Sequence, residues 1–146
     1  MTIEVIDATM ARVKSQVAAL QGRVEDVADL ALMVEKGVVP TQTPTAWVVP
    51  IAEDFEPAAD MIGETRQRGT ETVGIVLVHG VKGDGKGAKA RGILDALGND
   101  VKVALLGWVP FSGCDPMELR RVRLVGIQAG CVFLQIDVLT RWYLRA

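Results

Sequence analysis

The chain has 146 residues, of which 49% are hydrophobic and 23% are charged, and its formal net charge is −2. This length is typical of one domain, so we expect a single domain over residues 1–146. The apolar content excludes an intrinsically disordered chain, and the mild acidity excludes the bulk basic field by which proteins grip nucleic acid.

The spacing of the two cysteines predicts neither a metal site nor a disulfide framework. Cys114 and Cys131 lack the CxxC or Cys/His spacing of a zinc site and could pair only once. We therefore predict reduced thiols in a cytosolic chain. The N-terminus has early acidic residues and no continuous apolar stretch, so we expect neither a signal peptide nor a transmembrane helix.

The first predicted element is an amphipathic helix at the N-terminus. Apolar residues recur at spacings of three and four along one stripe, and polar residues occupy the other faces. The stripe consists of Ile3, Ile6, Met10, Val13, Val17 and Leu20. A dimerising coiled coil would show the same spacing, but the short length favours a helix packed on a core.

A shorter helix and the first strand follow. The helix is predicted from Asp26 to Lys36, with Gly37 placed to cap its C-terminus. After a proline- and threonine-rich connection, Thr45 to Ala52 predicts a strand that is apolar on both alternating sets. Pro50 places this strand at a sheet edge or near its own end.

An acidic loop over 53–63 leads to the strongest strand signal in the chain. Thr70 to Val81 is rich in β-branched residues, which favour strands. Two apolar faces are predicted, one with Val73, Ile75 and Leu77 and the other with Val76 and Val78. A helix is then predicted from Ala88 to Leu106, where Gly98-Asn99 could break it.

The chain closes with a predicted hairpin of Arg121 to Ile127 and Cys131 to Leu144. The connecting Gln128-Ala129-Gly130 is typical of a type I turn with a G1 bulge, because glycine adopts positive φ freely. In the last strand one face is apolar, and the other mixes apolar with polar residues.

These elements together predict an α+β fold, with a mostly antiparallel four-stranded sheet and helices packed on one face. Three of the four strands keep apolar residues on both faces. Because the helices suffice for only one side, we expect another subunit to cover the second face, unless loops fold back over it.

The sharpest candidate for chemistry is Gly80-Val-Lys-Gly-Asp-Gly-Lys-Gly87, which has the spacing of a phosphate-binding P-loop. Gly87 stands where a hydroxyl would ligate magnesium. Val132 to Asp137 resembles the strand and aspartate that would complete such a site, but it belongs to the predicted antiparallel hairpin. We favour a solvated basic connection that orders against an acidic partner or phosphate backbone, through Lys82, Lys86, Lys89 and Arg91.

The remaining polar candidates favour structural roles. His79 is the only histidine, and we expect it to make a structural hydrogen bond at a strand end, since no serine or cysteine lies close in sequence. An acidic cluster is predicted to be a solvated loop because nothing predicts burial of one member. It contains Glu53, Asp54, Glu56, Asp60 and Glu64. We predict no catalytic residue, cofactor or metal site.

Two tryptophans are candidate anchors for binding, because tryptophan is enriched at interface hot spots and also in cores. Trp108, at the close of a predicted helix, favours the core. Trp142, in the last strand, suits either role.

Several segments follow one another in a familiar order. They are the N-terminal helix, Thr43-Pro-Thr-Ala-Trp-Val-Val-Pro50, Arg66-Gln67-Arg68 before the long apolar strand, Leu105-Leu-Gly-Trp-Val-Pro110, and the closing hairpin. This pattern, from Ile6 to Tyr143, resembles the tail terminator family of long-tailed bacteriophages.

The resemblance implies a structural virion protein without enzymatic activity. Members of that family form a ring, expected to be hexameric, that caps the head-proximal end of the tail tube, stops its polymerisation and provides the head-docking surface. The implied partners are copies of the chain, the major tail tube protein and a head–tail connector or completion protein. DNA would pass through the lumen without specific binding, and no membrane is involved.

Assembly in the host cytoplasm and a final place in the virion follow from the same resemblance. Another head–tail joining or minor tail protein is the alternative. The candidate interface residues are Lys82, Lys86, Lys89, Arg91, Arg66, Arg68, Trp142 and Arg141. The basic, glycine-rich segment from Gly83 to Gly92 departs from the family pattern, and we expect it to reach a neighbouring subunit or tail protein.

Overall fold

The computed structural model describes residues 2–81 and 88–146, which form three α-helices and a six-stranded sheet. The helices are α1 (Thr2–Gln16), α2 (Val27–Lys36) and α3 (Ala88–Leu105), and a 3₁₀ turn spans Ala18–Leu20. The strands are β1 (Val24–Asp26), β2 (Thr45–Phe55), β3 (Ala59–Met61), β4 (Glu64–Gly80), β5 (Glu118–Gln128) and β6 (Cys131–Arg145).

The strand order in the sheet is β1-β2-β4-β6-β5, and β3 pairs with β4 beyond the end of β2. The β1–β2 pair is parallel and all other pairs are antiparallel. The predicted α+β class is confirmed, but the prediction of four strands is wrong. The four predicted strands are β2, β4, β5 and β6, whereas β1 and β3 have three residues each, too few to show an alternating pattern.

Helices α1 and α3 cover one face of the sheet, which we call the helical face. Its core includes Val5 and Val13 of α1, Leu97 and Val101 of α3, and the strand residues Val73, Ile75, Leu77, Ile136 and Val138, all buried. Burying these side chains supplies the main hydrophobic stabilisation of the fold. The predicted alternation of β4 is confirmed, since its odd-numbered apolar residues all lie here.

Helix α2 packs on the opposite face of the sheet, so the prediction that the helices lie on one face is wrong. Leu30 and Met33 of α2 contact a second buried cluster that contains Trp47, Val49, Val76 and Val78. The Trp47 indole N–H donates to Asp29 Oδ2 of α2 at 2.9 Å. A helix of ten residues covers only part of this face, which we call the α2 face.

The predicted cap of α2 at Gly37 is confirmed, and the structure adds an N-cap at Asp26. The Asp26 side chain accepts hydrogen bonds from the backbone N–H groups of Ala28 and Asp29, as an N-cap residue does. Gly37 ends the helix with φ 65°, a left-handed conformation that glycine adopts without steric cost. The α2 boundaries therefore follow from local chemistry alone.

The predicted stripe of α1 is largely confirmed, with two corrections. Val13, Val17 and Leu20 are buried, but α1 ends at Gln16, so the last two lie beyond it. Ile3 is 75% exposed, because Val5 faces the core in its place at the start of the helix.

Helix α3 runs unbroken through Gly98, so the break predicted at Gly98-Asn99 does not occur. Gly98 is buried, and a Cβ built there would lie 3.6 Å from Leu134 Cδ2 and 3.8 Å from Ile136 Cδ1. The helix tolerates this weak helix former because it lies close to the sheet, whose packing outweighs local propensity.

The hairpin between β5 and β6 is tighter than predicted. Gln128 pairs directly with Cys131, so the loop has two residues, Ala129 (φ 49°) and Gly130 (φ 76°). Two positive φ angles are typical of a type I′ turn, whose twist matches that of the flanking strands. The expected three-residue turn with a bulge is therefore wrong.

The segment predicted to be an acidic loop is mostly paired backbone. Strand β2 continues through Glu53 and Asp54 to Phe55, and β3 follows within the same stretch. Pro50 is confirmed at an edge, because β1 pairs only with residues 46–48 and leaves the outer side of β2 unpaired beyond them.

Candidate interaction surfaces

The outermost strand, β5, leaves a long edge without a partner. It pairs only with β6, and the other side of its eleven residues has no strand beside it among the described residues. Its apolar side chains are unusually exposed, with Leu124 at 60% and Ile127 at 70%. Long, apolar, unpaired edges are typical sites of strand addition by another chain.

The α2 face contains an open apolar groove beside α2. Trp47, Val49, Val76 and Phe133 form its floor, and residues 125–128 of β5 form the wall opposite α2. The Trp47 and Phe133 rings stack with their centroids 6.4 Å apart. The groove encloses about 470 Å³. The predicted second apolar face therefore exists, covered in part by α2 and in part open.

A polar network divides the α2 face beyond this groove. Asp137 is fully buried and accepts from Arg121 Nε at 2.9 Å and from Gln135 Nε2 at 2.7 Å. Arg123 in turn donates to Gln135 Oε1 at 3.3 Å. The aspartate that resembled a magnesium-binding residue is thus paired with an arginine across the β5–β6 hairpin.

Three predicted interface residues, Arg66, Arg68 and Arg141, lie together at the far end of β4 and β6. The Arg66 guanidinium stacks 3.7 Å from the centroid of the Tyr143 ring. Arg68 pairs with Asp115 at 3.0 Å, and Arg141 donates to Glu118 at 2.9 Å. Arg68 and Arg141 are thus paired with carboxylates within the chain, whereas Arg66 is held only by the Tyr143 ring among the described residues.

Both candidate anchor tryptophans pack within the chain, and Trp142, which suited either role, is the more deeply buried. Trp142 is 3% exposed and packs edge-on against Phe55 of β2 with ring centroids 5.7 Å apart, so it belongs to the core. Its indole N–H finds no acceptor among the described residues. Trp108 packs on the helical-face core as expected, with the Arg12 guanidinium 5.5 Å from its ring.

The basic segment is only partly described. Lys82 and Lys86, with the loop from Gly83 to Gly87, lie outside the described residues, so the expected contact of this segment with a neighbour stays a prediction. Lys89 and Arg91 are exposed on the first turns of α3. Arg91 lines a second groove with Asp95, Leu124 and Ile127, between α3 and β5.

The P-loop alternative loses its supporting topology. The strand over 132–137 pairs antiparallel with both β4 and β5, whereas a P-loop fold requires a parallel sheet.

His79, near the end of β4, has no hydrogen-bond partner for Nδ1 among the described residues, so the expected structural bond is not seen. Cys114 and Cys131 are free and buried, and burial raises the pKa of the Cys131 thiol.

The acidic cluster is exposed over most of its length, and two members pair with arginines. Glu56 lies 4.0 Å from Arg68, and Glu64 lies 3.6 Å from Arg145. Glu53 and Asp54 have no ion pair within the parts of the chain that the structure describes. These two carboxylates lie on the outer, unpaired part of β2.

A buried carboxylate, Glu71 of β4, was not predicted. Burial raises its pKa, a hydrogen bond from the Thr2 hydroxyl at 3.2 Å opposes that effect, and the Glu53 charge adds to it. The sequence carries a faint signal, because Glu71 shares the alternating set of Val73, Ile75 and Leu77. The Thr2 hydroxyl is its hydrogen-bond partner among the described residues.

Within residues 2–81 and 88–146, none of the helices combines the length and apolar character required to cross a membrane. The same residues contain no cluster of three histidine, cysteine, aspartate or glutamate side chains that could hold a metal ion. The described surface has the free β5 edge and two apolar grooves.

Comparison with known protein families identifies the family of this chain. Residues 1–145 match the family described as phage tail terminator protein. The chain belongs to the phage tail terminator family. The resemblance drawn from the sequence is thereby confirmed, and membership implies a structural, non-enzymatic protein of the phage tail that associates with other virion components.

The fold also matches a solved structure. A chain in the virion of a native gene transfer agent particle is similar with a TM-score of 0.59 and 18% sequence identity, covering 97% of this chain and 95% of that one. At this identity the likeness concerns the fold. No curated protein matches the chain.

Proposed function

We propose that this protein forms a homohexameric ring that caps the head-proximal end of the phage tail tube, ends tube polymerisation and provides the surface to which the head docks. The observation that carries the proposal is the family match over residues 1–145. In this role the protein contacts copies of itself, the major tail tube protein and a head–tail connector or completion protein, and performs no catalysis.

The surface supports self-assembly on physical grounds. Residues 2–81 and 88–146 leave an eleven-residue strand edge and an open apolar groove uncovered, and neither is typical of a monomer that stays alone in water. A ring requires a heterologous contact that closes, which means two different surfaces on each copy. The β5 edge and the opposite edge of the sheet, along β2, are two such surfaces.

The charge supports free passage of DNA through the ring. A chain with net charge −2 has no bulk attraction for phosphate, and arginines 66, 68, 121, 141 and 145 are paired with carboxylates or stacked on an aromatic ring. Because the whole chain is net negative, DNA would pass without being held, even though Arg120 and Arg123 of β5 have no carboxylate partner among the described residues.

The test is tail length in phage lysates made without this protein. We expect tubes longer than those of wild-type tails, seen by electron microscopy, because nothing stops polymerisation. Supplying the wild-type protein from a plasmid restores the normal length. Tubes of normal length that lack heads would instead identify another head–tail joining protein. A rise in melting temperature with Mg-ATP would favour the P-loop alternative.

A further inference from the structure

The two outer edges of the sheet carry opposite charge. Arg120, Arg121 and Arg123 follow one another along β5, with Glu118 as the only acidic residue of that strand. Arg121 is paired with the buried Asp137, whereas Arg120 and Arg123 have no carboxylate partner among the described residues. One edge of the sheet is therefore basic.

The other edge is acidic. Beyond Pro50, β2 has β4 on its inner side and no strand on its outer side in the described structure. Glu53 and Asp54 lie on this free stretch, both exposed and without an ion pair there. Burial raises the pKa of the neighbouring Glu71, and the Glu53 charge adds to that effect.

The strand directions allow these edges to join. Strands β2, β4, β6 and β5 alternate in direction, so β5 runs opposite to β2. When copies are related by rotation about an axis roughly along the strands, β5 of one copy meets β2 of the next in antiparallel orientation. The sheet then continues from one copy into the next with the antiparallel pairing that β2, β4, β6 and β5 have within each chain.

Apolar side chains lie beside both edges on the helical face. Leu119 and Val122 of β5 pair with residues of the helical-face core yet are 38% and 43% exposed. Phe55, at the end of β2, is also partly exposed and lies on the same face, against Trp142. Joining the edges would bring these exposed groups to one seam and remove them from water.

We propose that the ring closes by edge-to-edge pairing, in which the basic β5 edge of one copy adds to the acidic outer edge of β2 in a second copy. This inference rests on the proposed ring. The contact is heterologous, and each copy uses one basic and one acidic edge. Backbone hydrogen bonds supply the pairing, and charge complementarity selects β2 over a second β5 edge, because two basic edges repel.

Two charge-reversed variants test this pairing. In R120E/R123E both edges are acidic, and in E53K/D54K both edges are basic. Each variant alone should lose self-association by about tenfold or more, because every contact joins like charges. A one-to-one mixture should recover assembly, since copies that alternate around an even-numbered ring have complementary charges at every contact. K14E/K36E, at exposed sites on α1 and α2, is the matched control and should assemble normally.

The readouts are the mass of the assembly in solution and the length of tails made with each variant. Circular dichroism confirms that every variant is folded. We expect overlong tubes with either variant alone and normal tubes when both are co-expressed. Normal tubes with each variant alone, or no recovery in the mixture, would overturn the edge pairing and leave the ring intact. Normal tubes in the complete absence of the protein would overturn the proposed function itself.

Discussion

At the scale of single residues, the sheet buries two carboxylates and compensates them differently. Asp137 receives an arginine and an amide, so its charge is matched within the chain. Among the described residues Glu71 receives only the Thr2 hydroxyl, and burial raises its pKa. Ionised Glu71 therefore costs folding free energy that a neutral group would not.

Substitution of this residue, Glu71→Gln, should stabilise the protein at neutral pH. The folded state holds the Glu71 proton more tightly than the unfolded chain does. Protonated Glu71 thus makes its full contribution to stability below the unfolded pKa of about 4.3. This contribution is lost as pH rises through the folded pKa. Glutamine keeps an acceptor for Thr2 and carries no charge, so the variant should have the higher free energy of unfolding at pH 7.

Chemical denaturation from pH 3.5 to 8 measures the difference between the two proteins. It should shrink towards zero at the acid end, where Glu71 is protonated in both states. Glu25→Gln, at an exposed position of β1, is the control and should show a much smaller dependence. A difference that stays constant over the whole range would mean that Glu71 acts through packing and not through its charge.

At the scale of elements, α3 shows how packing overrides local preference. Glycine in a helix interior costs roughly 0.5–1 kcal/mol relative to alanine, yet α3 continues through Gly98. The nearest sheet atoms to a Cβ there are at ordinary contact distance, 3.6 and 3.8 Å. The glycine is thus not required by space.

We therefore expect Gly98→Ala to raise the free energy of unfolding by about 0.5–1 kcal/mol, from helix propensity and a lower entropy of the unfolded chain. Gly92→Ala is the matched control on the same helix, where a Cβ meets no atom within 4 Å. Thermal and urea denaturation compare the two variants. A loss of 1 kcal/mol or more at Gly98 alone would show that α3 lies closer to β6 than the structure has it.

The two outer strands, β2 and β5, differ in how well their free edges are protected from pairing. Strand β2 is protected at one end by β1 and carries Pro50, which cannot donate to a partner strand. Strand β5 has no such protection over its eleven residues from the part of the chain that the structure describes. An edge left open in this way is typical of a strand that is covered in the assembly.

At the scale of the whole molecule, one helical layer and one short helix cannot cover both faces of the sheet. The open groove beside α2 and the free β5 edge remain as apolar surface. Self-association would bury this surface only in the native state, so it would stabilise the fold by mass action.

We expect the melting temperature to rise by several degrees as the protein concentration is raised about a hundredfold, because the native state alone associates. Scanning calorimetry, with the mass measured at each concentration, checks this. R120E/R123E should show a smaller rise than the wild-type protein. A melting temperature independent of concentration at constant monomer mass would mean that other tail proteins, and not copies of the chain, cover the exposed face.

The sequence by itself determined what depends on local chemistry and period. The α2 caps follow from Asp26 and Gly37, the two faces of β4 follow from strict alternation, and the family follows from segments spread along the chain. Each of these signals lies within a few neighbouring residues or in their order. For that reason they can be predicted without knowing what packs against what.

The tertiary structure alone decided the rest. The side of the sheet that α2 covers, the pairing of β1 and β3, the burial of Trp142 and Glu71, and the charge of the two free edges all depend on residues distant in the chain. Edges in particular have no sequence pattern of their own, because a strand is an edge only through the absence of a neighbour. Two of the predicted interface arginines, Arg68 and Arg141, are paired with carboxylates, whereas Arg120 and Arg123, which the sequence did not single out, have no carboxylate partner among the described residues.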